Sequence, residues 1–167
     1  LKKRARNRGW AKVALDSTRP LLNRAIAGVY PPASVFKLVT SGAGLEHGLL
    51  SVNKYYPHLC DGGYRFGNRY QKCWGVHGNL NVVNALRLSC DVYFYQAGLE
   101  IDMERINEFG RRFGLGEEVL GIDIPGERRG WLPDSASFNK RNKRSGWRWA
   151  RGLILNLSIG QGQLVTP

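Results

Sequence analysis

Two consecutive prolines, Pro31 and Pro32, stand just before an apolar segment and restrict where a helix can begin. Proline does not fit a helix interior, but it suits the turn that leads into a helix. From Val35 to Leu45 the apolar residues recur at intervals of three and four, which is typical of a helix. Gly48 is a C-terminal stop signal. The sequence therefore predicts a helix over residues 34–47.

Ser34 and Lys37 lie three residues apart at the start of this predicted helix. Residues i and i+3 share a helix face, so the Lys37 amine can lie beside the Ser34 hydroxyl. A serine becomes a strong nucleophile when a base accepts its proton, and a lysine can be that base when its amine is kept neutral. The pair is a candidate nucleophile and base. Taken alone, Ser-x-x-Lys is a weak signal, and a capping serine with a solvated lysine is the favoured interpretation of it.

A second polar element, Ser89-Cys-Asp91, lies between a predicted helix over Val82–Leu88 and another over Val92–Gly98. Ser-x-x-Lys, then a triplet of the Ser-Asp-Asn type, then Lys-Thr-Gly is the signature of penicillin-binding proteins and class A β-lactamases. The first two elements occur here in the right order. No Lys-Thr-Gly or Lys-Ser-Gly triplet is present.

Longer stretches resemble the monofunctional class B penicillin-binding proteins, above all the penicillin-binding protein 2 family. They are residues 20–26, 30–37, 89–95, 122–126, 158–162 and 165–167. The resemblance implies an α/β (α+β) transpeptidase fold of the penicillin-binding protein and serine β-lactamase type, present mainly as its helical part with an incomplete central sheet. We expect residues 1–167 to be a partial transpeptidase domain, without the family's membrane anchor, pedestal domain and Lys-Thr-Gly strand.

The resemblance implies a serine-type peptidoglycan D,D-transpeptidase that cross-links stem peptides through an acyl-enzyme on Ser34 and is a target of β-lactam antibiotics. Lys37 is expected to accept the serine proton, and Ser89 to relay it to the leaving amine. Asp91 stands where the family more often has Asn, and its carboxylate would favour the charged form of Lys37. No catalytic cofactor is implied. A serine β-lactamase or β-lactam sensor of the same fold is the alternative.

The family also implies a cellular setting for the whole protein. Its members act in cell-wall elongation at the periplasmic face of the bacterial inner membrane. They work with a membrane glycosyltransferase of the elongation machinery.

The positive charge of the chain suggests a different class of function, nucleic-acid binding. The net charge is +12, with basic runs at residues 2–8 and 140–144, the latter leading into Trp147 and Trp149. Such charge with interleaved aromatic residues is compatible with a basic, zinc-containing nucleic-acid-binding domain. No recognised nucleic-acid-binding motif accompanies it, so we expect no nucleic-acid partner and interpret the charge as a solvated surface.

Residues 53–79 form a Gly- and Cys-rich insertion without helical periodicity, which predicts loops or short strands. Cys60, Cys73 and His77 lie in it, and Cys90 lies inside the second polar element. Three thiolates and one imidazole make a closed tetrahedral zinc set, which would be structural. A Cys60–Cys73 disulfide and inert buried cysteines are the alternatives. His58 and His47 are further candidate ligands.

Overall fold

A computed structural model describes residues 9–116 and 119–166. The basic run at 2–8 and the last residue, Pro167, lie outside the described residues. The elements are helices α1 (9–14), α2 (Arg24–Ala27), α3 (Lys37–Glu46), α4 (Val82–Arg87), α5 (Asp91–Ile101), α6 (Met103–Arg112), α7 (Ser135–Arg141) and α8 (Leu153–Leu157), a 3₁₀ turn (Ala33–Phe36), and strands β1 (Gly63–Phe66) and β2 (Arg69–Lys72). None of the described helices has both the length and the apolar character that crossing a bilayer requires.

The core is built around α5, whose residues from Val92 to Gly98 are all buried. Helix α3 packs on one part of α5 and α8 on another. Gly98 lets α8 come close, because a Cβ there would lie 2.5 Å from the Cβ of Ser158. The Ser158 hydroxyl is 3.0 Å from the carbonyl oxygens of Phe94 and Leu155, so it can donate to either helix. The mainly helical architecture agrees with the sequence prediction.

The predicted helix over 34–47 is present, but the side of it that faces the core was not predictable from its apolar residues. Val35 and Leu38 are 68% and 64% exposed, whereas Lys37 and Thr40 are buried. Burying a polar group is tolerated when it is hydrogen-bonded. Thr40 Oγ1 donates to the Ser158 carbonyl at 2.7 Å, which joins α3 to α8.

Residues 53–79 contain the hairpin of β1 and β2, an antiparallel pair in which Gly63 lies opposite Lys72. This agrees with the prediction of loops and short strands. Across the molecule, the chain near the C-terminal end of the described residues makes single backbone bridges to two other segments. Val165 pairs with Trp131, and Thr166 pairs with Tyr30. The second bridge fixes the chain just before the 3₁₀ turn.

The close contact at Gly98 predicts a loss of stability when a methyl group is added there. Gly98→Ala should lower the free energy of unfolding by about 1–3 kcal/mol, because overpacking against Ser158 exceeds the gain in helix propensity. Gly9→Ala is the matched control, since among the described residues nothing lies within 4 Å of a Cβ at that helical position. Urea unfolding of both variants measures the difference. Equal stability of the two variants would contradict the packing.

Candidate active site and thiol cluster

The backbone that presents Ser34 is held in an unusual conformation. Ala33 has φ of +53°, and its N–H donates to the Gly160 carbonyl at 2.8 Å. Gly160 has φ of +74°, and a Cβ there would lie 2.2 Å from the Ala33 carbonyl oxygen. Only glycine fits such a close approach. The 158–162 segment therefore fixes the start of the 3₁₀ turn, and Ser34 is exposed at this start.

The Lys37 amine lies at the centre of the candidate active site. Its Nζ is 3.2 Å from Ser34 Oγ and 3.0 Å from Ser89 Oγ. It is also 2.8 Å from the Ser89 carbonyl oxygen and forms an ion pair with Asp91 Oδ1 at 2.6 Å. The Lys37 side chain is 1% exposed. The structure thus brings together Ser34, Lys37, Ser89 and Asp91, the four side chains that the sequence analysis named.

The turn between α4 and α5 supplies the two partners of Lys37 and one thiol. Ser89 has φ of +49°, a conformation that is uncommon outside glycine, asparagine and aspartate. Its N–H donates to the Leu86 carbonyl, and the N–H of Cys90 donates to the Ala85 carbonyl. Ser89 and Asp91 face Lys37, whereas Cys90, which lies between them, is fully buried and faces the insertion.

The other three members of the thiol cluster come from the insertion. The ligand atoms of Cys60, Cys73, His77 and Cys90 all lie within 4.8 Å of one another. His77 Nδ1 is 3.5 Å from both Cys60 Sγ and Cys73 Sγ. All three thiols are free, so no Cys60–Cys73 disulfide is formed. Backbone bonds between Cys60 and Gly78 close the loop that brings His77 into position.

Thiols in the cluster differ in how easily they lose a proton. Burial raises the pKa of Cys90. Burial also acts to raise the pKa of Cys73, but the backbone N–H groups of Gly75, Asp91 and Val92 hydrogen-bond to this thiol and the pKa is lowered overall. Two of these donors belong to the first turn of α5, where unpaired N–H groups favour a negative charge.

The two alternative histidine ligands lie elsewhere. The ring of His58 is edge-on to Tyr64, and its Nε2 is 3.3 Å from the Gly63 carbonyl oxygen. His47 follows the last residue of α3. Sequence reasoning missed Trp74, whose indole N–H lies 3.1 Å from the carbonyl oxygens of Leu88 and Ser89. Its position directly after Cys73 was the one available signal.

Comparison with known proteins places these features in a family. The family model described as "Penicillin binding protein transpeptidase domain" matches residues 2–167. A curated relative, peptidoglycan D,D-transpeptidase MrdA of Acinetobacter baumannii, is 35% identical over 149 residues, covering 86% of this chain and 21% of that protein. The chain therefore spans about a fifth of the length of this relative.

Solved structures agree with the family match. Pseudomonas aeruginosa PBP2 in complex with WCK 5153 superposes with a TM-score of 0.83 at 29% identity, covering 95% of this chain and 34% of that one. Helicobacter pylori PBP2 in complex with MreC superposes with a TM-score of 0.82 at 35% identity, covering 94% and 29%. The described helices and hairpin are thus part of the transpeptidase fold of these proteins, as the sequence analysis expected.

The buried ion pair predicts a stability difference between two carboxylates. Asp91→Asn keeps an acceptor but removes the counter-charge of a buried ammonium, and should lower the free energy of unfolding by about 1–3 kcal/mol. Glu100→Gln is the control, because its pair with Lys54 is partly exposed and worth less than about 1 kcal/mol. Urea unfolding at neutral pH measures both. Equal losses would show that Asp91 does not neutralise a buried charge.

Proposed function

Because the chain belongs to the penicillin-binding protein transpeptidase domain family, we propose that it carries the nucleophile of a serine-type peptidoglycan D,D-transpeptidase. The observation that supports this most directly is the Lys37 amine, which touches both Ser34 Oγ and Ser89 Oγ while shielded from water. The substrate would be the D-Ala-D-Ala end of a stem peptide. A β-lactam, as a mimic of that end, would acylate the same serine.

Ion-paired with Asp91, Lys37 is an ammonium, so it acts as the base only from the form in which its amine has lost one proton. That neutral amine has two N–H bonds and one lone pair. The Ser89 carbonyl and the ionised Asp91 carboxylate can only accept, so they take the two N–H bonds. The lone pair is then left for a hydroxyl, and Ser34 Oγ lies within reach at 3.2 Å. When Lys37 takes the serine proton, the Asp91 carboxylate stabilises the ammonium that forms.

Ser34, Lys37 and Ser89 account for every proton transferred in the proposed reaction. Ser34 Oγ bonds to the carbonyl carbon of the penultimate D-Ala as its proton passes to Lys37. The peptide C–N bond then breaks, and Ser89 Oγ relays the proton from Lys37 to the departing amine of the terminal D-Ala. The amine of a second stem peptide attacks the acyl-enzyme in turn. Its proton returns by the same route to Ser34, which is regenerated.

We also propose that the thiol cluster holds a structural zinc ion. Zn–S bonds of about 2.3 Å and Zn–N bonds of about 2.0–2.1 Å at tetrahedral angles place sulfur and nitrogen about 3.5 Å apart. His77 Nδ1 lies 3.5 Å from two of the sulfurs, which fits this geometry. Four protein ligands leave no position for water, so the ion would fix the insertion against the Ser89–Asp91 turn rather than take part in the reaction.

For the whole protein we propose a role in cell-wall elongation at the periplasmic face of the inner membrane. The structure of H. pylori PBP2 with MreC supports a partner from the elongation machinery. A membrane glycosyltransferase of that machinery would supply the glycan strands to be cross-linked. The basic residues of the described surface are then solvated charges, and nucleic acid is not a proposed partner.

Covalent labelling tests the nucleophile. In the complete natural chain that contains these residues, Ser34→Ala should abolish labelling by a fluorescent penicillin, and Lys37→Met should slow it by a factor on the order of 10²–10⁴. Ser51→Ala, at an exposed serine outside the site, should label as the wild type does. Gel fluorescence with mass spectrometry of the labelled peptide measures all three. Labelling that persists in Ser34→Ala would refute the assignment, and steady turnover of a cephalosporin would indicate a β-lactamase instead.

Metal analysis tests the zinc proposal independently of activity. The purified protein should contain about one zinc per chain, and His77→Ala should lose it and melt at a lower temperature. His58→Ala is the matched control, because this histidine lies in the same insertion outside the cluster. Elemental analysis and thermal unfolding are the measurements. A metal-free wild-type protein with a Cys60–Cys73 disulfide would contradict the proposal.

A further inference from the structure

Trp74 lies between the thiol cluster and the turn that carries Ser89. Its indole N–H lies 3.1 Å from the carbonyl oxygens of both Ser89 and Leu88. Its ring centre is 4.8 Å from that of His77, with the two rings tilted by 60°. The side chain is 68% exposed, so burial of the ring does not account for its placement. The hydrogen bond to the turn does.

The Ser89 carbonyl that Trp74 contacts is also an acceptor for Lys37, at 2.8 Å. Ser89 has φ of +49°, where a residue with a Cβ is strained by about 1–2 kcal/mol. Such strain persists only where the surroundings hold the residue in place. On the carbonyl side, the holding groups are the Lys37 amine and the Trp74 indole. Loss of the indole N–H leaves the amine alone to fix this oxygen.

We propose that Trp74 is a positioning residue for the reaction proposed at Ser34, and the inference rests on that proposed function. The contact from Lys37 Nζ to Ser34 Oγ, at 3.2 Å, is the longest of the four that the amine makes. When the Ser89 carbonyl shifts, the amine follows its shorter contacts, and this longest contact is lost first. Trp74 therefore keeps the base within reach of the nucleophile by acting through the Ser89 carbonyl.

The same arrangement connects the thiol cluster to the active site. Cys73 and His77 lie on either side of Trp74 in the chain, and their ligand atoms lie within 4.8 Å of the sulfur of Cys90, which directly precedes α5. The insertion thus holds the Ser89–Asp91 turn through two separate contacts. One reaches the start of α5 through sulfur, and the other reaches the Ser89 carbonyl through the indole.

The test compares two exposed tryptophans in the complete natural chain. Trp74→Phe keeps an aromatic ring and removes the N–H donor, whereas Trp147→Phe makes the same change at a residue that is 60% exposed and outside the site. Acylation by a fluorescent penicillin gives a limiting rate constant and a half-saturating concentration. Trp74→Phe should lower the limiting rate about three- to tenfold, the size of one hydrogen bond. Half-saturation, metal content and melting temperature should stay unchanged, and Trp147→Phe should match the wild type.

A second substitution covers the case in which phenylalanine disturbs the loop. A benzothienylalanine residue at position 74 keeps the shape of the indole and replaces its N–H by sulfur, which cannot donate. The same fall in limiting rate supports the proposal. A normal rate in this variant or in Trp74→Phe overturns it, as does a fall that occurs only with loss of metal. Absence of Ser34 acylation in the wild type would instead refute the proposed function, so the two failures are distinguishable.

Discussion

The buried amine of Lys37 is the group on which the rest of the site depends. Removing an ammonium from water costs several kcal/mol unless a counter-charge and hydrogen-bond acceptors replace the solvent. The Ser89–Asp91 turn provides these groups, with an ion pair at 2.6 Å and a carbonyl contact at 2.8 Å. The turn must therefore lie against α3 whenever Lys37 is buried. In this way one side chain joins two segments of the chain that are more than 50 residues apart.

The Ser89–Asp91 turn faces in two directions, and this explains why a catalytic and a structural cluster lie so close together. Alternate residues point to opposite sides, so Ser89 and Asp91 reach Lys37 while Cys90 reaches the thiols of the insertion. Aromatic side chains of the insertion pack against the core, and a zinc ion in the cluster would add a further attachment through Cys90. Any movement of Cys90 would then displace Ser89 and Asp91 on the Lys37 side of the same turn.

Local signals made parts of this arrangement predictable. The prolines, the apolar spacing and Gly48 predicted the helix that carries Lys37, and the Cys and His spacing singled out residues that do lie together. Long-range contacts were not predictable. The apolar pattern favoured Leu38 over Thr40 for burial. Thr40 is buried instead because its hydroxyl donates to a carbonyl 118 residues away, a contact that the local sequence does not reveal.

The 3₁₀ turn at the start of α3 reconciles two opposite demands on the nucleophile and its base. Ser34 has to meet a substrate and is exposed, whereas Lys37 has to avoid water and is buried. In a 3₁₀ turn, side chains three residues apart lie almost one above the other, closer to eclipsed than in an α-helix. The Lys37 N–H donates to the Ser34 carbonyl in this turn, and the two side chains meet at 3.2 Å. The change from 3₁₀ to α geometry then carries the chain into the core, so the exposed hydroxyl and the buried amine can share one helix start.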